Sequence, residues 1–261
     1  MIRRYEISFV EGIGKIFGVS LIAAAHKGAV SVSFGFPKDM DPQFRSIYYS
    51  CRDYTMTSIE RMYGLYKAVK YVLETGVPGD FVECGVWKGG SAMVIAKTLM
   101  QEGITNRKIY LYDTYAGMSK PGEKDRRLSD GKSTLPAWKK GQKTGFNTEG
   151  YASLEEVKRN LLSTGYPKKN LVFVKGKVEE TIPEKSPKRI ALLRLDTDWY
   201  ESTAHEMKHL YPILVHGGVL IIDDYGHFAG AKEAIDNYMR KNNVKMMLSR
   251  VDYTGRIGLK L

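Results

Sequence analysis

Two apolar stretches of this 261-residue chain each end in a pair of aspartates. One reads Ile190-Ala-Leu-Leu-Arg-Leu-Asp196-Thr-Asp198, the other Gly218-Val-Leu-Ile-Ile-Asp223-Asp224. Both read as buried strands, and open α/β sheets place their ligands at strand ends. Four carboxylates converging there repel one another unless positive charge sits between them. A hard cation such as Mg²⁺ meets that need, because it takes oxygen ligands and keeps places for water or substrate oxygens. Asp196, Asp223 and Asp224 are the expected metal ligands, and two adjacent hydroxyls of a sugar or catechol would fill the open positions. The metal would acidify the hydroxyl to be modified. Asp198, two residues beyond Asp196, is the expected general base. The alternative is that strand-end aspartates cap the helices that follow, a reading that suits any one of them better than all four.

A second constellation precedes these pairs. The strand Asp80-Phe-Val-Glu-Cys84 runs into Gly85-Val-Trp-Lys-Gly89-Gly90-Ser91 and then a helix. Gly85 allows a tight turn, and Gly89 and Gly90 allow a ligand to approach the backbone at the helix start. The spacing E-x-G-x-x-x-G-G differs from the dinucleotide pattern G-x-G-x-x-G. Asp113 closes the next strand, where an acidic residue can accept hydrogen bonds from ribose hydroxyls. Together these features resemble the S-adenosylmethionine site of Rossmann-like methyltransferases. That resemblance implies that Glu83 lies near the methionine amino group and Asp113 on the ribose.

Five segments carry a narrower resemblance: residues 55–61 (TMTSIER), 77–90 (VPGDFVECGVWKGG), 112–118 (YDTYAGM), 195–203 (LDTDWYEST) and 217–226 (GGVLIIDDYG). In this order they are similar to the macrocin O-methyltransferase family, whose members methylate sugars of tylosin, mycinamicin and novobiocin. The likeness covers roughly residues 50–240. It implies S-adenosylmethionine as donor, a Mg²⁺ requirement and a sugar hydroxyl of a natural product or polysaccharide as acceptor, with a small non-sugar diol as the alternative acceptor. It also implies Asp196, Asp223 and Asp224 as metal ligands and Asp198 as base. Cofactor contacts are expected at Thr57, Glu83, Gly85, Gly89, Gly90, Ser91 and Asp113, with Lys177 bordering the adenine.

The elements that must position these residues alternate. Helices are expected over 53–75, 90–100, 154–163, 202–214 and 229–241, and strands over 80–84, 108–112, 171–174, 190–196 and 218–222. Two short runs, 245–251 and 256–260, flank Thr254-Gly255 as a hairpin. The expected fold is therefore α/β: a Rossmann-like class I methyltransferase with a mostly parallel seven-stranded sheet and a C-terminal antiparallel hairpin. The methyltransferase domain is expected over 51–261. Residues 116–150 are polar and long for a connection, so they are expected to form a lid or substrate loop. Residues 1–50 are expected to be an extension serving as lid, oligomerisation element or surface contact.

Apolar residues make up 43% of the chain, enough for a sizeable core, and the net charge of +11 favours acidic partners. No RNA-binding signature, zinc-finger spacing or Arg-rich tail accompanies that charge, so nucleic acid is not the expected partner. Cys51 and Cys84 lack metal-type spacing and point to a reducing, cytoplasmic setting. The apolar run at residues 16–25 is too short for a bilayer span, which takes about 20 residues. It suggests packing on the fold, contact with a membrane surface, or self-association into a homo-oligomer. One motif competes: His205-Glu206-Met-Lys-His209 satisfies the zinc-peptidase pattern H-E-x-x-H, but it falls on a helix between buried strands without a clear third ligand.

Overall fold

The computed structural model describes residues 21–26, 29–34 and 36–261. The chain divides into two units, Met1–Ser46 and Ile47–Leu261. In the first, strands β1 (Leu21–His26) and β2 (Ala29–Phe34) pair antiparallel. Half of the apolar run at 16–25 thus lies in β1, and residues 16–20 fall outside the described part. A helix, α1 (Pro42–Cys51), follows.

The second unit is built on a seven-stranded sheet. Strands β3 (Asp80–Cys84), β4 (Ile109–Asp113), β7 (Leu171–Lys175), β8 (Ile190–Leu195) and β9 (Leu214–Ile222) are parallel. Two antiparallel strands, β11 (Arg256–Leu259) and β10 (Ser249–Arg250), close one edge. The order is β10-β11-β9-β8-β3-β4-β7. The chain therefore builds outward from β3 to β7, then crosses back to β8 and builds the other way. This reversal opens a crevice between the carboxyl ends of β3 and β8, where doubly wound sheets bind ligands.

Local chemistry sets the flanking helices. Helix α2 (Ile59–Glu74) starts at Ser58, whose side chain accepts from the Arg61 amide, and buries a stripe including Met62, Leu65, Val69 and Val72. The helix begins six residues later than the expected start at Asp53 because Thr55 is extended, which carries residues 54–57 along the crevice. Helix α3 (Gly90–Gln101) follows the glycine turn, and most of its residues are buried. Helix α7 (Tyr200–His209) ends earlier than expected, giving way to a 3₁₀ turn at Tyr211–Ile213, and β9 begins at Leu214. Helix α8 (Ala229–Lys241) packs against α7.

Residues 116–150 are a bonded substructure rather than a free loop. They contain helix α4 (Leu135–Gly141) and a miniature hairpin of β5 (Gln142–Lys143) and β6 (Phe146–Asn147). Asp125 is buried and accepts from the amides of Gly122 (2.7 Å) and Tyr200 (2.8 Å), which ties the segment to the start of α7. The Leu128 amide donates to His227 and the Ala229 amide to Arg126. Among the described residues no helix is long and apolar enough to cross a membrane.

Candidate active site

Three successive strand ends carry non-glycine residues in the left-handed region: Trp87 (φ 46°) after β3, Tyr115 (φ 51°) after β4 and Asp198 (φ 66°) after β8. Such backbone costs roughly 1–3 kcal/mol per residue and concentrates at functional sites. Gly85, at φ 83°, lies so close to the Asp196 carbonyl that a Cβ there would strike it. At Gly90 a Cβ would fall 2.6 Å from the Tyr54 backbone. Both glycines let the chain approach closely around the crevice.

The crevice opens as a cleft of about 410 Å³ lined by Thr57, Gly85, Ser91, Asp113, Asp196, Asp198, Asp223 and Asp224, with Trp87 and Tyr54 among its aromatic members. A smaller cavity of about 70 Å³ beside it is lined by Gly85, Asp113 and Lys177. A third, of about 290 Å³, is bounded by Trp138, Trp199, Phe228 and His227, with Arg127 at its polar side. Asp198, His227 and Phe228 line both this chamber and the main cleft. Gly89, Gly90 and Glu83 stand behind the cleft wall rather than in its lining.

Asp113 accepts from the amides of Val86 (2.7 Å) and Trp87 (3.1 Å) on one oxygen and from Tyr115 (2.7 Å) on the other. It thus braces the glycine turn. Burial raises its pKa while these amides pull it back. Glu83 is buried, and its Oε1 accepts from Arg194 Nη1 (2.9 Å), while Oε2 is buried without a partner. Burial pushes Glu83 up to about 7 against the pull of Arg194. An orphaned carboxylate oxygen of this kind is costly unless a ligand supplies a donor.

The aspartate pairs sort differently from the expected grouping. One carboxylate oxygen from each of Asp196, Asp198 and Asp224 falls within 4.8 Å of the others. Asp223 instead turns to two arginines: its Oδ1 accepts from Arg194 Nη2 (2.6 Å) and its Oδ2 from Arg61 Nη1. The physical reason is charge. Arg194 is an arginine on an otherwise apolar strand, and Arg61 projects from α2 toward both Asp223 and Asp252. Asp223 is the carboxylate within reach of both guanidinium groups.

With their oxygens this close, Asp196, Asp198 and Asp224 disfavour one another's ionisation. Burial, then the Asp198 charge, drives Asp224 well above the usual carboxylate range, and burial pushes Asp198 up to about 7. Asp224 Oδ2 is buried and unpartnered. Four carboxyl groups here, Glu83, Asp196, Asp223 and Asp252, pair with the guanidinium groups of Arg61 and Arg194, and Asp198 and Asp224 have no salt bridge to either. The cluster of Asp196, Asp198 and Asp224 fits a hard divalent cation, which would offset their mutual repulsion and satisfy the orphaned oxygen.

The H-E-x-x-H motif does not assemble. The His205 and His209 rings lie 4.5 Å apart, but His205 Nε2 is engaged with the Ile182 carbonyl. Glu206 is fully buried and accepts from Thr197 Oγ1 (2.9 Å). The peptidase alternative fails because its glutamate is part of the core.

The family described as Macrocin-O-methyltransferase (TylF) matches residues 44–257. An 8-demethyl-8-(2,3-dimethoxy-alpha-L-rhamnosyl)-tetracenomycin-C 4'-O-methyltransferase of Streptomyces olivaceus is 31% identical over 223 residues, 83% of this chain and 79% of that protein. A demethyldecarbamoylnovobiocin O-methyltransferase of Streptomyces niveus is 32% identical over 202 residues, 77% and 74% of the two. The structure of the O-methyltransferase NovP is similar with a TM-score of 0.68 at 30% identity, covering 79% of this chain and 82% of that one.

Proposed function

The chain belongs to the macrocin O-methyltransferase family and is an S-adenosylmethionine-dependent O-methyltransferase; from that premise we propose that it methylates a sugar hydroxyl on a small molecule, with Mg²⁺ at the aspartate cluster. The observation that carries this reading is the position of the cluster. Asp198 borders both the main cleft and the aromatic chamber, where a donor and an acceptor would meet. By their descriptions the relatives named above act on a rhamnosyl-tetracenomycin and on demethyldecarbamoylnovobiocin, and the chamber's Trp138, Trp199 and Phe228 suit the apolar face of a sugar.

The cofactor supplies an electrophilic methyl group on a sulfonium. Glu83 would reach its ammonium from behind the cleft wall through the free Oε2, Asp113 would take its ribose hydroxyls, and Gly85 and Ser91, which line the cleft, would give the close backbone approach. Thr57 and Lys177 would flank it on opposite sides. Mg²⁺ would be held by Asp196 and Asp224, with Asp223 adding the lone pairs that its arginines leave free, and would acidify a bound hydroxyl. Asp198 would accept the hydroxyl proton. The clustering of Asp198 with Asp196 and Asp224 favours a second reading, in which Asp198 ligates and Asp223 only anchors Arg194. Calorimetric titration of Mg²⁺ into Asp223→Asn and Asp198→Asn separates the two. Lost affinity in Asp223→Asn with retained affinity in Asp198→Asn supports the first reading, and the reverse supports the second.

A further inference from the structure

Arg194 is the charged residue in the strand Ile190–Leu195, every position of which is buried. Its side chain is 3% exposed and reaches carboxylates from three strand ends. Nη1 donates to Glu83 Oε1 (2.9 Å) and to Asp196 Oδ2 (2.7 Å), and Nη2 donates to Asp223 Oδ1 (2.6 Å). The sheet register places Arg194 directly beside Glu83 on β3 and Ile221 on β9, so the fork spans the crevice floor. Glu83 spends Oε1 on this fork and keeps Oε2 buried and unpartnered.

We propose that Arg194 is a positioning residue that orients Glu83 toward the cofactor and Asp196 toward the cation through one shared nitrogen, and thereby couples the two sites. This rests on the Mg²⁺ reading above. A guanidinium holds several acceptors in fixed directions, which the single ammonium of lysine cannot do. Because Nη1 is shared, neutralising Glu83 turns the charge of Arg194 onto Asp196, which then offers less to a cation. A ligand's ammonium on Glu83 Oε2 acts through the same nitrogen.

The test is calorimetric titration of the full chain with MgCl₂ in the absence of cofactor, and with S-adenosylhomocysteine in EDTA. Wild type, Glu83→Gln, Arg194→Lys and the double variant are compared, with circular dichroism to check folding. Arg194→Lys is expected to weaken both ligands by about fivefold or more. Glu83→Gln is expected to weaken Mg²⁺ by about threefold in the wild-type background and by almost nothing in the Arg194→Lys background. An equal Glu83→Gln effect in both backgrounds means through-space charge and overturns the coupling. If Arg194→Lys does not fold, unchanged Mg²⁺ affinity in Glu83→Gln overturns it alone. Wild type that binds no Mg²⁺ overturns the metal reading instead. In that case unchanged S-adenosylhomocysteine affinity in Arg194→Lys overturns the positioning role separately.

Discussion

Glu83 offers a quantitative prediction through its ionisation. Its carboxyl is raised to about 7 by burial, and its free Oε2 is the proposed partner of the cofactor's ammonium. Only the ionised carboxylate binds that ammonium well, so affinity rises with pH as Glu83 loses its proton. Above an α-amino pKa of about 7.8 the ligand loses its own charge, so affinity falls again. The product of the two ionised fractions peaks near pH ~7.4 and is about fifteenfold smaller at pH ~5.5 and at pH ~9.3. Calorimetric titration with S-adenosylhomocysteine in EDTA, in buffers of differing ionisation enthalpy, reads both the bell and the proton released at its acid side. Glu83→Gln should bind about 10- to 100-fold more weakly at the optimum, the worth of a buried charge-assisted hydrogen bond, and should lose the acid limb. The stability sign is opposite. A carboxyl raised above its unfolded value favours the fold at low pH, so the ligand-free wild type should lose stability relative to Glu83→Gln as pH rises from about 4.5 through 7. An affinity that stays constant from pH ~5.5 to ~7.4, or a Glu83→Gln profile that keeps the acid limb, refutes the reasoning.

Three further outcomes are expected. Asp198→Asn should lower turnover by about 10²- to 10⁴-fold in single-turnover assays while S-adenosylhomocysteine affinity stays within about threefold; wild-type turnover across pH would remove Asp198 as base. Gly85→Ala should destabilise by about 3 kcal/mol or more in urea unfolding, because its Cβ meets the Asp196 carbonyl at positive φ; a change below about 1 kcal/mol would contradict the close approach. Asp125→Ala removes the buried acceptor for the amides of Gly122 and Tyr200, so hydrogen exchange should accelerate across residues 116–150, at a cost of about 1–2 kcal/mol; unchanged exchange there would mean the segment is held by its other contacts.

The β/α alternation, the closing hairpin and the strand-end aspartates were legible from sequence because each has a local signature: apolar runs, glycine turns and acidic residues at run ends. The partition among the aspartates was not, because it depends on two arginines, one distant in sequence and one inside the strand run itself. Arg61 lies about 160 residues away in sequence from Asp223, the partner it meets across the sheet edge. Arg194 carried a signal in plain sight, a charge inside the run Ile-Ala-Leu-Leu-Arg-Leu, and a buried arginine there demands carboxylate partners. For the segment 116–150, read as a lid or substrate loop, the internal bonding was not legible, because polar composition reports exposure. Its anchors are the Asp125 carboxylate and backbone amides, whose pairing composition does not encode. The H-E-x-x-H pattern misled for the converse reason: spacing puts two histidines on one helical face but does not say that Glu206 turns into the core.

The central claim is that the aspartate cluster holds a cation needed for methyl transfer to a sugar hydroxyl. Methyl transfer from labelled S-adenosylmethionine to a panel of glycosylated natural products, with EDTA and with Mg²⁺ restored, tests it directly on wild type and Asp196→Asn. The account predicts labelled, base-stable methyl ethers on a sugar hydroxyl for wild type with Mg²⁺, little product in EDTA, and little product from Asp196→Asn under either condition. Full activity of wild type or Asp196→Asn in EDTA would contradict it.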